Sequence, residues 1–368
     1  MTTPRTSRRT VLTGLATLAA APLVAGRVTT SRALAASARA AGAWTVYDFP
    51  HRDEPTLEQR VEGIYAASAT DAWSIGRAGV QPVVGRWDGS RWRVVPAPAV
   101  GGDIAGTAAD DIWIGTGSAN MHWDGSAWTV LPVPPPPSDQ LYVSTGNLVS
   151  DARGTAWSTT ATESIYGAGP LQYRIMRWVS GQWQVVPNPP QTNLGYELLD
   201  LDVAGAASTW VVGTRTAANR TLVAQWNGDG WVDHTMPVSA GSYVYPDAVV
   251  ALAPNDVWIT GREGERGYLA HWDGSAWTRL AVPTGGWGSQ LYDVGGSVLL
   301  KTQAWYGGGR DGLFRWTGSG WSELPKPAIR VFFTEVRSTF SAAPGGGVWV
   351  AGGRTDGDHV VPSTALYR

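Results

Sequence analysis

The octapeptide HWDGSAWT occupies His122–Thr129 and recurs letter for letter at His271–Thr278. Its two tryptophans stand five apart, and the same spacing returns at Trp87–Trp92, Trp178–Trp183, Trp226–Trp231 and Trp316–Trp321. In VVGRWDGSRWRVVP, an Asp-Gly pair separates two runs of alternating apolar residues, a strong short-range hairpin signal. A spacing of five across a two- or four-residue loop leaves both indoles on one sheet face as cross-strand neighbours. A double aromatic plate of that size must be covered, and the next repeat covers it. The octapeptide therefore reads as a structural joint and not as a binding site.

Upstream of each pair usually stands a second signature: DAWSIG with Trp73, DIWIG with Trp113, TAWST with Trp157, STWVVG with Trp210 and DVWITG with Trp258. A last copy, GVWVAGG with Trp349, lies near the C-terminus. Successive second tryptophans are separated by 36 to 55 residues. An irregular Gly- and Trp-rich period of this size predicts propeller blades. Each unit reads as four strands, from an inner strand a (GIYAASAT) through b (AWSIG) and c (VVGRW) to an outer d (RWRVVP). Strand-b positions Trp73, Trp113, Trp157, Trp210, Trp258, Leu299 and Trp349 count seven units. The seventh ends at STALYR, without a strand d of its own. GAWTVYDFP (42–50) copies SAWTVLPVP (126–134), so Trp44 is expected to pair with the C-terminal strand and close the ring. Closure removes the exposed sheet edge of an open array. The expectation is an all-β, single seven-bladed β-propeller of four-stranded antiparallel blades.

In HWDGSAWTRLAVP and VWVAGGRTDGDHVVPSTALYR the repeats resemble the kelch and tectonin type of propeller, over nearly all of residues 42–368. That resemblance implies a fold and not an activity. Copper oxidases on kelch propellers hold their metal through a modified cysteine, and this chain has no cysteine. The WDGSAW turn also lacks the Ser-x-Asp-x-Gly order of the sialidase Asp box, so no catalytic residue is carried over from either group.

The first forty residues differ in kind. TSRRTVLTGLATLAAAPLVAG places Arg8 and Arg9 before a short apolar run, and RALAASARAAGAW follows with Ala-x-Ala sites after Ala35 or Ala40. The pattern looks like a twin-arginine export signal; the run is shorter than the ~20 residues a bilayer span needs. The expected division is 1–40 as a cleaved signal and 41–368 as the propeller, secreted after export in folded form, with no transmembrane anchor in the mature chain. Residues 1–40 hold six arginines and no acid, leaving 22 basic against 30 acidic residues, a mature net charge of −8. That balance argues against nucleic acid or an anionic membrane as partner. The 328 residues are enough to bury a core without disulfides.

Antiparallel blades put the short, uniform a–b and c–d turns on one face and the long, variable b–c and d–a loops on the other. Variable loops on a rigid scaffold are where binding resides. Of 21 tryptophans, 19 sit at repeat positions; the exceptions are Trp287, in TGGWGSQLY entering blade six, and Trp305, in TQAWYGGGRDG, its b–c loop. With Tyr292, Tyr306 and Arg310 they form the expected ligand-binding surface, a stacking platform for a sugar or planar compound. His122 and His271 fall in a slot that is polar in every repeat and are expected to have structural partners. No histidine pair has a metal-ligand spacing, and no nucleophile elbow, phosphate loop or dinucleotide fingerprint is evident. Two functions follow. One is an exported binding protein for a glycan, envelope polymer, small molecule or protein. The alternative is a propeller lyase, hydrolase or cyclase, with His51 or Glu163 as acid/base groups. The sequence names no cofactor.

Overall fold

The computed structural model describes residues 28–29, 42–52, 59–79, 81–98, 102–116, 119–151, 155–165, 171–190, 196–215, 220–304, 309–330, 339–344, 347–357 and 359–368. These residues build seven four-stranded antiparallel sheets, the seven blades of an all-β propeller. Blade one orders Gln59–Ala66, Ala72–Ala78, Gln81–Trp87 and Trp92–Val95 from the inside out. Blades two to six follow at 103–132, 140–186, 196–233, 244–279 and 287–323. Blade seven takes its three inner strands from Phe340–Ala342, Val348–Asp356 and His359–Tyr367 and its outer strand from Trp44–Asp48. Val28–Thr29 adds a two-residue ladder to His51–Arg52. No helix of the described residues is long and apolar enough to cross a membrane.

The paired tryptophans face one another across strands c and d in all six hairpins, as Trp87↔Trp92, Trp123↔Trp128, Trp178↔Trp183, Trp226↔Trp231, Trp272↔Trp277 and Trp316↔Trp321. In WDGSAW the Asp124 carboxylate accepts from the Ser126 N–H and hydroxyl and the Ala127 N–H at 2.8–2.9 Å. Gly125 takes φ +93°, and a Cβ there would lie 2.8 Å from that of Asp110, so the turn needs glycine twice over. Blade three shortens the loop to Ser180-Gly181, both at positive φ (51° and 81°), the signature of a type I′ turn.

Each plate is covered by the blade before it in the chain, not by the one after. The strand-b tryptophan of one blade meets the pair of its successor: Trp73 lies 5.5 and 5.9 Å from Trp123 and Trp128, and Trp113 lies 5.7 and 5.8 Å from Trp178 and Trp183. Trp157, Trp210 and Trp258 repeat the contact, and Trp349 of blade seven closes on Trp87 and Trp92 of blade one. Near the axis, strand-a carboxylates bracket adjacent blades. Asp103 accepts from its neighbour Ile104 N–H and from Leu148 N–H of blade three, both at 3.0 Å. Asp200 and Asp202 make the same bridge from blade four to Val249 and Ala251 of blade five.

Candidate functional site

The slot before each strand-c tryptophan is structural. His122 Nε2 lies 2.6 Å from Asp111 Oδ1, and its ring stacks on Trp113 at 4.2 Å; His271, Asp256 and Trp258 repeat this at 2.9 and 4.4 Å. In blade one, Arg86 binds Asp71 and lies over Trp73. Burial pushes the Asp111 carboxyl up, but hydrogen bonds from His122, Thr107 and Trp113 outweigh it and hold it below its ordinary value. These dyads lie at the a–b turns, away from the variable loops.

A cavity of about 370 Å³ occupies the channel. Tyr65, Thr107, Ser150, Asp202, Tyr292 and Ala342 line it, all from the later part of a strand a, so it lies toward the face of short turns. Of its carboxylates, Asp103 and Asp202 are committed to the inter-blade brackets, and Asp293 accepts the Gly296 N–H at 2.9 Å. Burial raises the Tyr65 hydroxyl well above its ordinary pKa, helped by Asp111 and Asp71. Among the described residues no group of three or more His, Cys, Asp or Glu side chains is arranged to hold a metal ion.

On the variable-loop face, blades five and six bring together a cluster that includes one of the expected residues. Trp287 opens strand a of blade six, half-buried, and its indole N–H donates to the Asp247 carboxylate of blade five. Arg262, from strand b of blade five, holds its guanidinium 5.6 Å from the Trp287 ring and 5.0 Å from Tyr245. Tyr243 extends the row, with its ring 4.9 Å from that of Tyr245 and the two hydroxyls 3.1 Å apart. Three aromatic rings, one guanidinium and one carboxylate thus share one corner of the channel mouth. The set is equipped for stacking and polar recognition. Among the described residues Asp247 is its one carboxyl.

The other expected residues lie elsewhere. Tyr292 is buried on Phe340, 4.7 Å away, and lines the channel cavity instead of standing beside Trp287. Arg310 does lie on the loop face, but both its terminal nitrogens engage Glu323, at 2.5 and 2.6 Å. Such a pair clamps the b–c end to strand d in neighbouring blades too, as Arg215–Asp233, Glu263–Arg279 and Arg354–Asp48. Trp305 and Tyr306 fall outside the described residues. His51 sits in the short ladder with its Nδ1–H toward Phe49 O at 2.9 Å, and Glu163 is exposed at the end of strand b in blade three; they belong to different parts of the ring. Tyr243, Tyr245, Asp247 and Arg262 were not singled out from the sequence. The signal was the i, i+2 alternation in SYVYPD at the start of a strand a, which puts both tyrosines on one face.

No protein-family model matches the sequence, and no curated protein resembles it in sequence. Solved structures resemble it in fold. An oligogalacturonate lyase in complex with manganese superposes with a TM-score of 0.61 at 11% identity, over 92% of this chain and 95% of that one. YCF48 from Cyanidioschyzon merolae gives 0.52 at 14%, over 89% and 98%. The β-propeller domain of the trilobed protease from Pyrococcus furiosus gives 0.50 at 10%, over 82% and 97%. At these identities the likeness is one of architecture.

Proposed function

We propose that the chain is an exported binding propeller whose ligand lies on the variable-loop face at the channel mouth, against Trp287, Tyr245 and Arg262. The observation that carries the reading is the guanidinium held between two half-buried aromatic rings from adjacent blades. Flat rings edged by charged groups recognise the apolar face and hydroxyls of a sugar, so a glycan of the cell envelope or surroundings is the favoured ligand. Export rests on the Arg8-Arg9 signal, and the mature net charge of −8 fits a neutral or cationic partner.

The test expresses the full chain in a twin-arginine-competent bacterium and screens the exported protein by affinity electrophoresis on soluble polysaccharides. Trp287→Ala and Arg262→Ala should each weaken the retained glycan roughly tenfold, on the order of 1.4 kcal/mol, with unchanged melting. Lysines at positions 8 and 9 should keep the protein inside the cell. Wild-type retention by both platform variants would remove the site, and export of the Lys-Lys form would remove the signal.

A further inference from the structure

Three polar side chains point into the seam between blades two and three. Asn120, in strand c of blade two, lies across from Gly115, and Gly115 lies across from Asp103. Residues paired in this way share a sheet face, so Asn120 faces the side from which Asp103 reaches the Leu148 N–H of blade three. Ser158 and Thr160 alternate along strand b of blade three with Trp157, whose indole packs on Trp226 of blade four. Their hydroxyls therefore face blade two. All three side chains are 0% exposed. Asn120 Oδ1 and Nδ2, Ser158 Oγ and Thr160 Oγ1 have no hydrogen-bonding partner among the described residues.

The matching positions of other seams are apolar or paired. Asn120 stands two residues before the polar slot of strand c, and Ser158 directly after the strand-b tryptophan of the next blade. Elsewhere those two positions pack in one core, as Val84 with Ile114, Ile175 with Val211 and Leu269 with Leu300. The seam from blade seven to blade one carries Thr364 and Ser74 there, but both have protein partners. Thr364 Oγ1 accepts the Trp92 indole N–H at 2.9 Å, and the Ser74 hydroxyl donates to Gly63 O at 2.7 Å. The threonines that correspond to Thr160 also reach carbonyls: Thr116 donates to Ala119 O at 2.7 Å and Thr302 to Arg310 O at 3.0 Å.

We propose that the seam between blades two and three is a binding site for ordered water, held by the Asn120 amide and the Ser158 and Thr160 hydroxyls. Leaving a buried amide and two hydroxyls unpaired is costly, and protein interiors rarely do so. A buried water typically makes about three hydrogen bonds to such groups. This set offers it both signs: the amide N–H groups and hydroxyls donate, and the amide and hydroxyl oxygens accept. Ser158 is smaller than Ile114, Val211 or Leu300 in the same slot, and the difference gives the water room. Water thus joins blades two and three where apolar packing joins their neighbours. The site involves neither of the blades that build the Trp287 platform and does not depend on it.

Two measurements test it. A high-resolution crystal structure of the full chain should show water within hydrogen-bonding distance of the Asn120 amide and of the Ser158 or Thr160 hydroxyl. A dry seam, or an Asn120 amide bonded directly to protein groups, overturns the proposal. In solution, oxygen-17 magnetic relaxation dispersion counts long-lived internal waters. The double variant Asn120→Val/Ser158→Ile copies Val84 and Ile114 of the first seam, whose Thr116 corresponds to Thr160. It should lower the count by about one or more. An unchanged count in the folded double variant overturns the proposal. If that variant does not fold, the density in the parent crystal decides alone.

Discussion

His234 shows what one side chain does inside an aromatic joint. Its ring lies 4.5 Å from Trp210 and 4.9 Å from Trp272, where other blades place the residue of the polar slot. The Trp277 indole N–H donates to Nδ1 at 3.4 Å, so the neutral ring directs Nε2–H to Gln225 Oε1 at 3.3 Å. Burial pushes the imidazole below its ordinary 6.5, against a smaller pull upward from Asp233. The sign follows from proton counting. The unfolded chain takes up the proton near pH 6.5 while the folded protein still refuses it, so stability is full above that pH and declines as pH falls toward the depressed folded value. The melting temperature of the protein should therefore drop between pH 7 and pH 5. His234→Phe, which cannot titrate, should flatten that stretch of the profile. An identical slope in the variant and the parent would show that His234 does not set it. Glu263 acts in a lower window: burial raises its carboxyl, but the Ser239 N–H and Arg279 outweigh this, so its contribution is present above about pH 4.5 and lost as pH falls through its depressed value.

At the scale of the element, the Trp-x4-Trp hairpin was legible because everything that makes it is local. Period-two alternation, an Asp-Gly turn and a spacing of five need no knowledge of the rest of the chain. Which blade covers the plate was not legible, since that depends on which sheet face turns toward which neighbour in the closed ring. The outcome ranks the tryptophans. Trp210 and Trp349 are 0% exposed, whereas Trp123 and Trp272 of the repeated octapeptide are half-buried. Trp210→Ala should cost roughly 3–5 kcal/mol and Trp272→Ala about half as much, in proportion to the surface each hides. Chemical denaturation of the two variants gives the comparison, and equal losses would contradict the ranking. The site was only partly legible for a related reason. Tyr292 is near Trp287 in sequence, but five residues along an extended strand is roughly 17 Å, which carries it to the other end of the blade. Arg262 and Tyr245 are far from Trp287 in sequence and beside it in space, because register across strands a and b sets Tyr245 opposite Arg262 and ring closure sets blade five against blade six.

For the whole molecule, the decisive contact joins the two ends of the described chain. Trp44 to Asp48 pair in register with Tyr367 to Ser363, and the Trp44 indole donates to Pro325 O at 2.6 Å. The same segment fills the seam between blades seven and one. Tyr47 lies 4.5 Å from Trp87 and 5.6 Å from Trp349, and Phe49, 1% exposed, lies 5.4 Å from Trp92. Gly85 leaves the room for it, since a Cβ there would meet the Phe49 ring at 2.6 Å. This closure could be read from the sequence because residues 42–50 spell the missing strand d. It has a mechanical consequence. Each blade is held by two neighbours, and opening the ring leaves two blades with one neighbour each and exposes the strand His359–Tyr367 as a bare edge. Removal of residues 42–50 should therefore lower the melting midpoint by more than the loss of Tyr47 and Phe49 side chains alone. It should also broaden the transition and promote association through the bared edge. The comparison is calorimetry and light scattering on the deletion, on Tyr47→Ala/Phe49→Ala and on the parent. A deletion that melts in one sharp transition at the double variant's midpoint, and stays monodisperse, would mean that the seam matters for its side chains and that closing the ring adds nothing.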